Sequence, residues 1–291
     1  MPVVAYVPAD LRRCAFRGSD VLRAGLLTPN QLRGRAWRAL FTDVYVHRDV
    51  PVTHELRARA AADLLLPGGV VTGCSAAVLW DVDLAGPGDD VEVTLAPGAH
   101  PRRIRGIRVR RAALSGTDLA RRQSTLVTTA EATAVRLAAA LPGDDAVIAV
   151  DRLVSSGVTD IGPVRARAAE AVGAGSRRAR EVCALADGLA QSPQETRLRL
   201  LLHRSSLPNP VAQFRIVVDG RFVARPDFAW PERKVALEYD GLWHGEPGQF
   251  ARDRQRLNRL QAAGWRVVFV TAADLRHPER LLALVAAALY G

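Results

Sequence analysis

Residues 223–241, VARPDFAWPERKVALEYDG, constrain this chain more than any other stretch. Two apolar runs, 222–230 and 234–239, read as β-strands, and Trp230-Pro231-Glu232-Arg233 turns the chain between them. Each run carries an acid where a sheet should bury carbon: Asp227 lies inside the first, Glu238 ends the second. Strands joined by a short turn pair antiparallel, which brings the two carboxylates close together. Like charges at such range repel unless a cation lies between them. Mg²⁺, with Mn²⁺ as a substitute, takes hard oxygen ligands, and two carboxylates, waters and a substrate phosphate complete its octahedron. An ion held this way activates a water and neutralises charge growing on phosphorus-bound oxygens.

The flanking residues extend the pattern. Glu195, in the first turn of the preceding helix, is a candidate third carboxylate, so the expected metal set is Asp227, Glu238 and Glu195. The plain alternative for Glu195 is a favourable charge on the helix dipole. Asp240 and His244 follow Glu238 in EYDGLWH, and Gly241 lets the chain turn so that His244 reaches back as acid, base or phosphate contact. An exposed loop histidine is the competing explanation. FARDRQRLNRL places Arg252, Arg256 and Arg259 on one side of a helix, with Arg256 a candidate catalytic residue and Arg252 a candidate DNA contact. A basic solvated helix face would explain the same spacing.

These residues sit in a segment that reads helix, strand, strand, helix, strand, helix. Gln191-Ser192-Pro193 opens it, with Ser192 as cap and Pro193 at the first helical position. Strands over 213–218 and 222–230 flank Asp219-Gly220, a two-residue hairpin signal. A helix over 250–263 stops at Gly264, a strand covers 265–270, and Thr271 caps a last helix running to Leu289.

The chain has 291 residues, 48% of them apolar, enough for two or three domains with cores of their own. No run of eighteen apolar residues occurs and the start lacks a signal-peptide layout, so the expected location is the cytoplasm, with no membrane partner. Cys14, Cys74 and Cys183 are scattered as buried fillers, and the six histidines show no zinc spacing with them. The net charge of +10 rests almost wholly on arginine, since Lys234 is the one lysine. That favours a polyanionic partner, although a GC-rich genome also enriches arginine.

Upstream, 1–50 reads as short helices followed by a strand. Ser19 caps a helix over 20–24 closed by Gly25, Thr28-Pro29 starts a second, 35–41 forms a third helical turn, and 44–46 is a strand. The pattern suggests a small winged helix-turn-helix or a helical cap on the next domain. Residues 51–190 read as an α+β module and a helical connector, with strands over 91–95 and 107–111. PRRIRGIRVRR, residues 101–111, places six arginines in a row. Arg102, Arg103, Arg105, Arg108 and Arg110 are candidate DNA contacts, Arg108 and Arg110 on one strand face; a solvated sheet face is the alternative.

The blocks SPQETRLR, RPDFAW, ALEYDGLWH and RDRQRLNRLQAAGWRVVFVTAADL resemble endonuclease-like domains grouped near the very short patch repair (Vsr) nucleases of the PD-(D/E)XK superfamily. The resemblance covers about one hundred residues. It implies a restriction-endonuclease-like mixed sheet flanked by helices over 191–291, with Pro226-Asp227 as the PD element and Glu238-Tyr239-Asp240 in place of (D/E)XK. Glu195 then matches the helical acid of that group, and Trp243-His244 its Trp-His pair. The motif's lysine is absent, for position 240 is Asp. LLTPNQLRGRAWRALFTDVYV and VVTGCSAAVLWDVDLAG resemble the N-terminal region of AbiEi-type antitoxins, implying DNA binding and a toxin partner. The expected fold class is α/β (α+β), with winged-helix-like region 1–50, α+β module and connector 51–190, and nuclease-like domain 191–291. The leading expectation is a Mg²⁺-dependent DNA endonuclease or nickase, with a target-recognition partner in prospect. The rival is an antitoxin-like DNA-binding regulator with an inactive nuclease fold, and RNA ranks last because no aromatic platform stands out.

Overall fold

Short runs of β-branched and aromatic residues, punctuated by Gly and Pro, give a mixed α/β protein with several sheets. The computed structural model describes residues 7–218, 220–240 and 249–291, the side chains of 249–254 excepted. It divides into two compact units, one running to Ala140 with Gly162–Arg180, the other Leu141–Ile161 with Glu181–Gly291. Among the described residues no helix is long and apolar enough to cross a membrane.

The first unit begins with β1 (Phe16–Arg17), α1 (Gly18–Arg23), α2 (Pro29–Leu32), β2 (Trp37–Phe41) and β3 (Val44–His47). The strands pair antiparallel in the order β1-β3-β2. Thr28 caps α2 as its sequence announces: Gln31 N–H donates to Thr28 Oγ1 and Thr28 N–H to Gln31 Oε1. Two expectations need correction here. Residues 35–41 are not a helical turn; Trp37 and Phe41 bury their rings in a strand, turned into β3 by Asp43 at φ 63°. Nor does Ser19 cap α1. Its N–H and hydroxyl both donate to the Asp43 carboxylate, at 2.8 and 2.6 Å, so the cap comes from the hairpin turn.

The unit continues with α3 (His54–Ala60), β4 (Val70–Val71), α4 (Gly73–Leu79), β5 (Val91–Leu95), β6 (Ile107–Arg111), β7 (Leu119–Arg122), β8 (Thr125–Thr128) and α5 (Ala130–Ala140). Its sheet runs β6-β5-β4-β8-β7, leaving β6 at an edge. Val71, Val91, Val93 and Val127 meet Ala58, Ala76 and Leu79 in one core, which also takes in Phe41 and Val44 from the preceding hairpin. The β2–β3 hairpin of region 1–50 thus shares a core with the α+β module.

Next come α6 (Gly143–Ser155), α7 (Ile161–Glu170) and α8 (Ser176–Leu185). The second unit takes α6, and then α9 (Pro193–His203), β9 (Val211–Ala212), β10 (Ile216–Val218), β11 (Arg221–Ala224), β12 (Phe228–Trp230), β13 (Val235–Tyr239), α10 (Gln249–Ala262), β14 (Arg266–Val270), α11 (Ala272–Leu275) and α12 (Pro278–Tyr290). Its main sheet runs β14-β13-β12-β9, with β13 and β14 parallel and the other pairs antiparallel. Phe228, Trp230, Val235 and Leu237 face α9 and α12 through Leu198, Leu202, Leu281 and Val285. Ala229 and Ala236 face the other way, onto Leu260 of α10, Trp265 and the β10–β11 hairpin. Asp151 of α6, 1% exposed, ties that helix to this unit by accepting from Thr196 Oγ1 and Arg199 Nη2 at 2.8 and 2.7 Å. The compact unit therefore includes a helix that precedes the boundary expected at 191.

Two further expectations change. The run 222–230 is not one strand: it breaks at Arg225-Pro226, and its halves β11 and β12 join different sheets. Pro226 has no N–H to give a ladder. The last helix is also two. Thr271 and Asp274 form a capping box on α11, but His277 precedes Pro278 and leaves helical geometry (φ −126°, ψ 68°), so α12 starts afresh.

Candidate functional site

In the antiparallel pair β12–β13, Trp230 stands opposite Val235, Ala229 opposite Ala236, and Phe228 opposite Leu237. Asp227 precedes Phe228 and Glu238 follows Leu237, so both acids lie at the same end of this pair, where Asp227 Oδ2 also meets the Tyr239 N–H. Both acids lie near Arg256, which bonds Glu238 and whose charge acts on Asp227. Glu195 joins them electrostatically: burial raises its carboxyl above the ordinary value, the Gln191 N–H bond pulls the other way, and the Asp227 charge raises it further.

Each acid has partners. Asp227 Oδ2 accepts the Tyr239 N–H at 2.8 Å, and Oδ1 accepts Gln213 Nε2 at 3.3 Å. Burial still raises its carboxyl above the ordinary value, against these bonds and the charges of Arg256 and Arg225. Glu195 Oε2 accepts the Gln191 N–H at 2.8 Å, and Ser192 caps the helix beneath it. Glu238, 9% exposed, is gripped by Arg256 from α10, Nη1 to Oε1 and Nη2 to Oε2, both at 2.8 Å. That parallel fork is the strongest geometry a carboxylate and a guanidinium can adopt.

The implied divalent ion does not fit this arrangement. Arg256 already supplies the positive charge that Glu238 needs, on both of its oxygens. Among the described residues, no group of three or more His, Cys, Asp or Glu stands close enough to hold a metal. What the cluster holds instead is buried Glu195 and half-buried Asp227, both with carboxyls raised above their ordinary values chiefly by burial, beside an ion pair.

The remaining candidates scatter. Asp240 is exposed at the end of β13, its N–H donating to Val270 O, and adds no ligand to the acids. His244 lies outside the described residues, as does the Arg252 side chain. Arg259 is exposed on α10. Lys234 adopts a left-handed turn conformation (φ 50°), and its Nζ donates to Ala263 O. Arg102, Arg103, Arg105, Arg108 and Arg110 are all exposed, the last two on edge strand β6, and none forms an ion pair among the described residues. Sequence reasoning missed Gln213, which holds Asp227 from a positive φ of 51°, because nothing in VAQFR announces a left-handed residue.

No family model matches the sequence. Two proteins of Mycobacterium tuberculosis, Uncharacterized protein MT2308 (strain CDC 1551 / Oshkosh) and Uncharacterized protein Rv2248 (strain ATCC 25618 / H37Rv), are each 34% identical over 242 residues, covering 80% of this chain and 86% of theirs. The crystal structure of the RV2827C protein from the same organism matches 72% of this chain and 82% of its own at 17% identity, with a TM-score of 0.40. At 34% identity over most of both chains, this protein belongs to the family of Rv2248 and MT2308.

Proposed function

We propose that this chain is a DNA-binding protein that grips the phosphate backbone through the arginine row of residues 102–110. The observation that carries the reading is that Arg102, Arg103, Arg105, Arg108 and Arg110 are exposed together, without ion-pair partners among the described residues. Guanidinium forks match phosphate geometry, and β6 lies at a sheet edge where a backbone can run alongside. In this reading α1, α2 and the β2–β3 hairpin act as a winged-helix-like reader of sequence. The nuclease-like unit serves as a scaffold whose Glu238 is neutralised by Arg256, in keeping with an antitoxin-like regulator that takes a toxin partner. The test is a mobility shift on duplex DNA in EDTA. Retardation that weakens in Arg108→Gln/Arg110→Gln is expected; no retardation, or retardation untouched by the double variant, contradicts the reading.

The endonuclease reading stands second, supported by Asp227 and Glu195, a half-buried and a buried acid with raised carboxyls, the charge of the first acting on the second, as groups in active sites do. Its test is cleavage of plasmid and mismatched DNA with Mg²⁺ or Mn²⁺. Cleavage abolished by Asp227→Ala supports it, and an intact substrate removes it.

A further inference from the structure

The first unit contains a cavity of about 340 Å³ that includes none of the acid cluster and shares Arg110 alone with the arginine row. That volume lies at the small end of the range for nucleotide-sized ligands. Arg110 from β6 and Arg136 from α5 both line it. Arg136 is half-buried, its Nε is fully buried with no hydrogen-bond partner, and neither arginine has an ion pair among the described residues.

Two neighbouring guanidinium groups with no ion-pair partner among the described residues are costly in a concave site. Burial disfavours the charge on Arg136, and Arg110 disfavours it further, with only Glu92 acting against them. The acids on the wall do not relieve this. Asp118 is committed to Arg167 by two bonds of 2.7 Å, and the charge of Glu170 acts on Arg167 as well. Hydroxyls complete the lining. Thr72 and Thr94 bond each other at 3.0 Å, and Thr128 bonds Thr133 at 2.7 Å, so their hydrogens can be redirected toward an incoming acceptor.

We propose that this cavity is a binding site for a phosphate monoester, with Arg136 and Arg110 as its anion-holding residues. An anion between them removes their mutual repulsion and satisfies the orphaned Nε, and phosphate offers the acceptor oxygens that guanidinium forks match. A free nucleotide and a 5′-phosphorylated DNA end present the same group. The site is separate from the acid cluster and stands whether or not the arginine row grips DNA.

Thermal unfolding of the full chain at constant ionic strength tests it, with inorganic phosphate, adenosine 5′-monophosphate, adenosine, and a short oligonucleotide with and without its 5′-phosphate as probes. Phosphate and at least one phosphate monoester are expected to raise the unfolding temperature, adenosine is not, and the 5′-phosphorylated oligonucleotide is expected to raise it more than the 5′-hydroxyl form, which can bind only through the arginine row. Greater stabilisation by the nucleotide identifies a small-molecule ligand, and greater stabilisation by the phosphorylated end identifies DNA. Arg136→Gln is expected to weaken the apparent affinity about tenfold or more, as loss of a charge-assisted bond does. Arg110→Gln, an exposed change that does not threaten folding, is expected to weaken it in the same direction. No shift with any phosphate-bearing probe, or wild-type shifts in Arg110→Gln, would overturn the proposal.

Discussion

At the scale of single residues, the Arg256–Glu238 pair decides how the acid cluster is read. Removing one partner leaves the other with an unmet charge, and Glu238 is the more buried of the two. Arg256→Ala should therefore destabilise the protein by about 2 kcal/mol, less than for a fully buried pair because the arginine is partly solvated. Replacing both, as Arg256→Met/Glu238→Leu, should recover most of that loss; urea unfolding of the three proteins checks the pattern. Asp227 makes a separate prediction through pH. Its carboxyl is raised in the folded protein chiefly by burial, so the native state holds the proton more tightly than the unfolded chain. Stability contributed by this group is present below the ordinary carboxylate value of about 4 and is lost as pH rises through the raised native value. Asp227→Asn removes that loss. The unfolding temperature of the variant should gain on the wild type as pH climbs from about 4 toward neutrality. A gap that narrows over the same range would contradict the burial argument.

At the scale of elements, Gly188 joins α8 to the approach of α9 at φ 69°, where an added Cβ would collide with Val154 of α6. Gly188→Ala combines a strained backbone with a clash against a helix, and should cost about 2 kcal/mol or more in chemical denaturation. A near-neutral result would mean that α6 does not hold the place described. The elements legible in the sequence are those with local signals: Thr28-Pro29 and Ser192-Pro193 start helices as their chemistry requires, and β5 and β6 keep the bounds that alternation suggests. Signals that depend on distant partners are not legible. The cap on α1 is Asp43, more than twenty residues away, and β2 is a strand because its rings are buried beside β3, not because of its own propensity. The site divides in the same way. The antiparallel pairing of the strands that carry Asp227 and Glu238 is legible from their short turn, but helical spacing alone does not say that Arg256 turns to Glu238 and not to a substrate.

At the scale of the whole molecule, a net charge of +10 is carried by arginines, and five of them stand exposed between residues 102 and 110 with no ion pair among the described residues. Such a row binds phosphates by displacing counterions, so its affinity must fall as salt rises. Each phosphate contact adds about 0.9 to the slope of log K against log salt on duplex DNA. The most direct measurement is a salt series of fluorescence anisotropy on labelled duplex DNA, comparing wild type with Arg103→Gln/Arg105→Gln/Arg108→Gln, which leaves Arg110 and its cavity intact. The wild type should show a steep negative slope, and the triple variant a slope shallower by about 2.7. Equal slopes for the two proteins would contradict a phosphate grip by this row.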